Sequence, residues 1–459
     1  MIIRKVVMVC VVASLMGVLF SWQVAKETGG EEGERTELVE VEAVEWDEEE
    51  ESRWWQRDTP VIYKNHPWVL ESAAWKDWTD TELNRRLPLL SVYTSKATSG
   101  RFTTFHDSKP MERLLKTSGW TDFNTLSITP FETLWLPFSS PSTPWRYFSR
   151  SLHRLPEEPS SKTPASLWLS DISPLLRFAG NRSGLQSNLW LGRAGLVTAG
   201  HYDTGHNAYV QLRGYKDWLL AAPGAHARLY PALHPHYLHS QLQPSLAAIQ
   251  PRIPPAPEPL LSAVGLTGHE KIYRVRTCPA SVLVVPPYWL HEVKTVENSV
   301  AVNVWTDSEA YLVLDRVYHL PLPFEPHWSS SEMATAISDF FLHLTLPSLN
   351  LSTSSTSVAS ALFRLFLLED RYAHLFDRPF SDLAPPSPEE DARWQALCSN
   401  GVHPQIHDRV SQGIEPIAQL FRQITPLTVR LLSLFNYLEH TVDILLGVKA
   451  VYPFLRHCL

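Results

Sequence analysis

Gly200-His201-Tyr202-Asp203-Thr204-Gly205-His206-Asn207 is the segment from which the rest of the chain can be read. In an extended strand residues two apart share a face, so His201 and Asp203 present an imidazole and a carboxylate on one side. A third ligand must converge from elsewhere. Pro286-Pro287-Tyr288-Trp289-Leu290-His291 is a good source, because an apolar strand runs into a diproline turn that carries a histidine at its end. Two neutral imidazoles and one carboxylate on one face suit iron(II) and leave positions open for a bidentate co-substrate and dioxygen. Spacing alone is weak support, since the chain has 19 histidines. His206 lies an odd number of residues from His201 and reads as a packing or surface histidine. His234, His236 and His239 read as a loop cluster.

Around this segment the pattern is that of strands. Tyr209 to Arg213 alternates, Gly214-Tyr215 turns, and Lys216 to Leu220 runs back, which predicts a hairpin. Lys271 to Arg276, Ser281 to Val285 and Val300 to Trp305 are three further β-rich runs. Short strands at this spacing argue for a sandwich, jelly roll or barrel over residues 166–325. Six prolines between Pro244 and Pro259 mark a surface insertion. No GxGxxG or GxSxG motif and no internal repeat is present.

Residues 59–165 are rich in Trp and Pro, predicting short strands and packed loops in the N-terminal part of the same unit. From 326 to 459 the period becomes helical, over Ala334 to Leu346, Val358 to Leu368 and Val410 to Leu446, the last broken by Pro416 and Pro426. Its stripe of Leu431, Leu432, Leu434, Phe435 and Leu438 serves either as a cap on the β-core or as a homodimer surface.

The 459 residues are 44% hydrophobic and 19% charged, with a net charge of -8. That charge is concentrated between Glu27 and Glu51, so residues 26–58 are expected as a disordered acidic tether. No basic tract provides a footprint for nucleic acid. Arg4 and Lys5 before an apolar run predict a signal peptide or signal anchor over residues 1–25. That places the protein in the secretory lumen, endoplasmic reticulum or Golgi, secreted or as a single-pass type II membrane protein. Sequons at Asn181 and Asn350 agree with that address. Of four cysteines, Cys398 and Cys458 are candidates to pair.

Trp190 to Asp203, then Asn207, Gln211 and Gly214-Tyr215-Lys216, resembles the JmjC/cupin-like oxygenases, a family that includes the asparaginyl hydroxylase acting on hypoxia-inducible factor. Leu229-Tyr230-Pro231, Pro286 to His291 and Val302-Asn303-Val304-Trp305 continue the match in order. The resemblance implies a double-stranded β-helix (jelly roll) core, mostly β with helical additions. It implies iron(II) on His201, Asp203 and His291, 2-oxoglutarate as co-substrate, ascorbate as accessory reductant and hydroxylation of a polypeptide side chain. Lys216 and Thr198 would hold the distal carboxylate of 2-oxoglutarate, a charge-assisted contact that orients the ketoacid. Asn207 and Asn303 would line the pocket, with Trp305 as an apolar wall. If buried, Asn303 needs a partner, so a structural hydrogen bond is the alternative for it. Pro279-Ala280-Ser281 departs from the family's Pro-Gly-Asp turn. Two competing readings are a non-catalytic cupin-like scaffold and a metal enzyme that does not use 2-oxoglutarate.

Overall fold

A computed structural model describes residues 38–95, 101–102, 125–135, 144–224, 271–349, 388–399 and 401–459. The apolar segment 1–25, the proline insertion, the 234–239 histidines, the helix expected at 358–368 and the Asn350 sequon lie outside these.

Two mixed sheets face one another. One has the order β1 (Leu38–Glu40), β12 (Ile272–Thr277), β11 (Lys216–Ala221), β14 (Leu290–Thr295), β9 (Val197–His201), β5 (Arg101–Phe102). The other runs β2 (Glu42–Val44), β3 (Val61–Tyr63), β13 (Val282–Val285), β10 (His206–Arg213), β15 (Ser299–Thr306), β8 (Gln186–Gly192), β7 (Trp145–Ser151), β4 (Leu89–Ser95), β6 (Thr125–Pro130). Strand alternation explains three apolar layers. Tyr209 and Ala301 from the larger sheet meet Trp218, Leu220, Val275 and Val293 from the smaller one between the sheets. Ala208, Val210, Val302 and Val304 point the other way, into a Trp- and Phe-rich layer from the N-terminal half. The end of the sandwich near Tyr202, Tyr288 and Leu290 is covered by the C-terminal helices. The jelly-roll core with helical additions expected from the sequence is present.

The expected hairpin is not formed. Strands β10 and β11 follow one another but belong to different sheets, because β10 already has β13 and β15 on its two edges. Gly214, with φ +71°, turns the chain across. A Cβ there would lie 2.3 Å from the Asn298 carbonyl oxygen, so the turn demands glycine.

The acidic stretch is structured from Leu38 onward, against the expected tether. Strand β1 pairs in parallel with β12, and β2 with β3. Like-charge repulsion is offset because these acids find cationic and hydroxyl partners. Glu40 pairs with Arg274 and Glu50 with Arg57, and the Tyr63 hydroxyl donates to Glu50 at 2.6 Å. Short helices α1 (Glu48–Arg53), α2 (Pro67–Glu71), α3 (Ala73–Asp77), α4 (Asp80–Arg86) and α5 (Ala165–Asp171) complete the N-terminal layer. Caps start four of them: side chains of Asp47, His66, Ser72 and Thr79 accept from the first-turn N–H groups of α1, α2, α3 and α4.

The C-terminal layer comprises α6 (Glu309–His319), α7 (Ser330–Leu349), α8 (Pro388–Ser399), α9 (Pro404–Gln423), α10 (Leu427–Leu446) and α11 (Val448–Cys458). A Cys398–Cys458 disulfide joins α8 to α11. The Leu431–Leu438 stripe is buried within this layer and against the sandwich, so it caps the core and offers no free dimer face.

Among the described residues no helix is long and apolar enough to cross a membrane. This overturns the single-pass type II arrangement expected above, and the secretory address built on it is not supported. A crossing helix needs about 20 consecutive apolar residues. The longest helices here carry Asp339, Glu415, Arg422, Arg430, Glu439 and Asp443 and bury their apolar faces inside the protein.

Candidate metal centre

His201 ends β9 directly opposite His291 of β14. Residues opposite one another in an antiparallel pair project to the same face, and the two imidazole centroids are 4.2 Å apart. Beyond His201 the chain continues with Tyr202 buried on one side, among the helices, and Asp203 returning to the other. The Asp203 carboxylate is 3.8 Å from His291 Nε2. One donor atom from each of His201, Asp203 and His291 lies within 4.8 Å of the others. An ion bonding at about 2 Å reaches all three with a slight closure of the side chains. The donor set and its spacing therefore fit a divalent transition metal.

The surroundings fix these donors. His291 Nδ1 is 2.9 Å from the Trp289 carbonyl oxygen, which holds the proton on Nδ1 and leaves Nε2 as the lone-pair donor facing Asp203. Tyr288, at φ +64°, donates its N–H to the Asp203 carbonyl at 2.7 Å, tying the diproline turn to the ligand loop. From the helical layer, Asn436 donates to the Tyr202 hydroxyl between the two ligands. A polar chain runs inward from Asp203. Asn207 Nδ2 approaches Asp203 Oδ2 at 3.5 Å, Asn303 Nδ2 donates to Asn207 Oδ1 at 3.2 Å, and Trp190 Nε1 donates to Asn303 Oδ1 at 2.7 Å. Trp305 stands edge-on to Trp190, its centroid 5.8 Å away, and its indole N–H is buried without a hydrogen-bond partner.

Lys216 enters the space between the sheets from β11 and is 2% exposed. Its ammonium lies 5.3 Å from the Tyr209 ring centroid and 5.9 Å from that of Tyr147, and no carboxylate partner for it occurs among the described residues. Burial pulls its pKa down from the usual lysine range to about 7. Thr198 on β9 hydrogen-bonds the Tyr147 side chain. The Tyr209 hydroxyl is buried and unsatisfied. Lys216, Thr198, Tyr147 and Tyr209 thus gather an amine and three hydroxyl-bearing side chains in one buried cluster.

Tyr147 and Tyr209 were not legible as site residues. Tyr209 shares the inward face of β10 with Asn207, a signal that alternation offers. Tyr147 arrives through β7, whose register against β8 no local pattern discloses. His206 sits apart from the triad, 3.8 Å from Glu309, with its pKa lowered to about 4 by burial. The turn at Ala280 adopts φ +66°, where the family turn has glycine. Ser281 Oγ closes it by accepting from Cys278 N–H and donating to Cys278 O.

A two-sheet β-helix in which two histidines and a carboxylate converge at one end is the architecture of cupin-type domains. The chain belongs to the cupin-like domain family, whose profile matches residues 47–310, more than half of its length. Members of this JmjC-like family are typically iron(II)/2-oxoglutarate oxygenases. The chain is 33% identical over 130 residues to the HSPB1-associated protein 1 homolog of Danio rerio, covering 28% of this chain and 27% of that protein. It is 34% identical over 116 residues to Jumonji C domain-containing protein 5 of Drosophila melanogaster, covering 25% and 26%. To HSPB1-associated protein 1 of Homo sapiens it is 30% identical over 130 residues, covering 28% and 25%. The chain spans about a quarter of the length of the curated relatives it matches.

Proposed function

We propose that this protein is an iron(II)- and 2-oxoglutarate-dependent dioxygenase that hydroxylates a polypeptide side chain. The observation that carries the reading is Lys216, a buried ammonium without an acidic partner among the described residues, on the strand next to that of His291. Leu220 pairs with His291 and Lys216 with Thr295. That offset corresponds to roughly 13 Å along the strand, room for a short diacid between the metal and the lysine. A lone buried cation is costly unless a ligand supplies the counter-charge.

In this reading His201, Asp203 and His291 would hold the metal. Bound iron(II), 2-oxoglutarate and dioxygen supply oxidative decarboxylation coupled to hydroxylation, which is the cofactor's chemistry. Lys216 binds the distal carboxylate, with the Thr198, Tyr147 and Tyr209 hydroxyls completing its hydrogen bonds. Asn207 orients the Asp203 carboxylate, and Asn303 acts through Asn207, held by Trp190. The hydrogen bond from Nδ1 to the Trp289 carbonyl keeps the His291 ring fixed. Trp305 and Trp190 keep the inner wall apolar and limit water. A polypeptide substrate agrees with the resemblance and with relatives named for association with another protein.

The test is succinate release from 2-oxoglutarate with iron(II) and ascorbate, wild type beside Asp203→Ala. The reading expects turnover in the first and background in the second. Equal background signals across a peptide library would leave a non-catalytic scaffold. Substrate oxidation that proceeds without added 2-oxoglutarate, releases no succinate and persists in Lys216→Ala would point to a metal enzyme independent of 2-oxoglutarate.

A further inference from the structure

Asp339, His343 and His407 form a second group of metal-type donors, in the helical layer and separate from the triad between the sheets. Asp339 and His343 are four apart on α7 and so share one face. His407 comes from α9, which packs beside it. The Asp339 residue is 8% exposed. His343 Nδ1 lies 3.2 Å from its Oδ1 and His407 Nδ1 2.8 Å from its Oδ2. The two imidazole centroids are 5.3 Å apart. Each imidazole side chain is about two-fifths exposed, 42% for His343 and 44% for His407, so the group opens to solvent on its outer side.

We propose that this group is a binding site for a divalent transition metal of the zinc class, bridging α7 and α9. Borderline ions take imidazole nitrogen and carboxylate oxygen together, at about 2.0–2.2 Å. Tetrahedral donors at that bond length stand roughly 3.3 Å apart, close to the two nitrogen–oxygen separations already present. The carboxylate is rooted in the core and His407 Nδ1 already faces it, while His343 Nδ1, which also lies 2.9 Å from the Asp339 backbone carbonyl, gives up that contact by a small turn of its ring. The ion takes the place of the protons that now join the imidazoles to Asp339, and water occupies the solvent-side position. Four features distinguish the group from a surface ion pair: a buried anchor, two imidazoles, two different helices and an open outer side. The metal would cross-link two helices of the layer whose α10 braces the triad through Asn436 and Tyr202.

The experiment uses the full chain and cobalt(II) and zinc(II) as probes. Variants are His343→Gln, His407→Ala and a His201→Ala/His291→Ala double variant that removes the first site. Calorimetry is expected to give two zinc equivalents for wild type, one for His407→Ala or His343→Gln, and one for the double variant. Cobalt(II) in the double variant should show a tetrahedral visible spectrum that His343→Gln abolishes. Zinc should raise the melting temperature of the double variant and not that of its His343→Gln derivative. No zinc bound by the double variant, or an unchanged count on losing His343, overturns the proposal. His343→Gln keeps a half-exposed polar side chain, so loss of binding there is separable from misfolding. The double variant makes the result independent of whether the first site performs oxygenase chemistry.

Discussion

Lys216 is held by the fold in a state it would not adopt in water. With its pKa lowered to about 7, it is half neutral near neutrality, and a dianionic ligand favours its charged form. The sign follows directly. As pH rises above about 7 the amine loses its proton and 2-oxoglutarate affinity falls, so its KM should climb between pH 7 and 9. Lys216→Met removes that dependence and weakens 2-oxoglutarate binding by about a hundredfold, the equivalent of about 2–3 kcal/mol for a lost charge-assisted hydrogen bond. The same substitution should stabilise the ligand-free protein. The lowered pKa means that the unfolded chain binds more protons than the folded one between about pH 7 and the usual lysine range. The wild-type penalty is therefore full below pH 7 and fades as pH rises. Titration calorimetry with 2-oxoglutarate and urea unfolding at pH 6 check the two halves. Equal urea midpoints for wild type and variant would refute the stability half.

Among the elements, the Gly214 turn determines how the two sheets are joined. Gly214→Ala forces a Cβ against the Asn298 carbonyl and asks alanine to hold φ +71°. The left-handed backbone alone costs about 1–2 kcal/mol, and the clash adds to it. The expected loss of stability is 2 kcal/mol or more, on the order of the larger single-residue effects, and chemical denaturation reads it. Lys216 lies two residues beyond the turn, so 2-oxoglutarate affinity should fall as well. A variant as stable as wild type would mean that the turn has another accessible geometry. Gly214 and Tyr215 were readable as a turn from the sequence. Whether the turn stays within one sheet or crosses to the other depends on which edges of β10 are already occupied, and only assembly decides that.

At the scale of the whole molecule, the helical layer and the candidate metal centre share one apolar core. Tyr202, Tyr288 and Leu290, which surround the triad, pack in the same cluster as Phe340, Phe341, Leu434 and Leu438. Phe340 is fully buried, far from the donors in sequence, and packs against Phe324 and Phe341. Phe340→Ala should cost about 3–5 kcal/mol and weaken metal binding in parallel, measured by thermal unfolding with and without cobalt(II). Loss of stability with full metal affinity would show the two layers to be uncoupled. The acidic stretch carries the same lesson. Composition reads it as solvated, yet from Leu38 onward it adds two strands, because Arg57, Tyr63 and Arg274 supply its partners from other parts of the chain.

The sequence by itself determined the donor chemistry. His201 and Asp203 are two apart, His291 follows a diproline turn, Lys216 follows a glycine turn, and short alternating strands imply a β-shell. Those features depend on period and on residue type, which are local properties. The tertiary structure alone decided that His291 stands opposite His201 across β9 and β14, and that Tyr147 reaches Lys216 from β7 of the larger sheet. It also decided that the Leu431–Leu438 stripe is spent within the chain. Each of these depends on strand register or on which face another element covers, and both are set by contacts between residues distant in the chain.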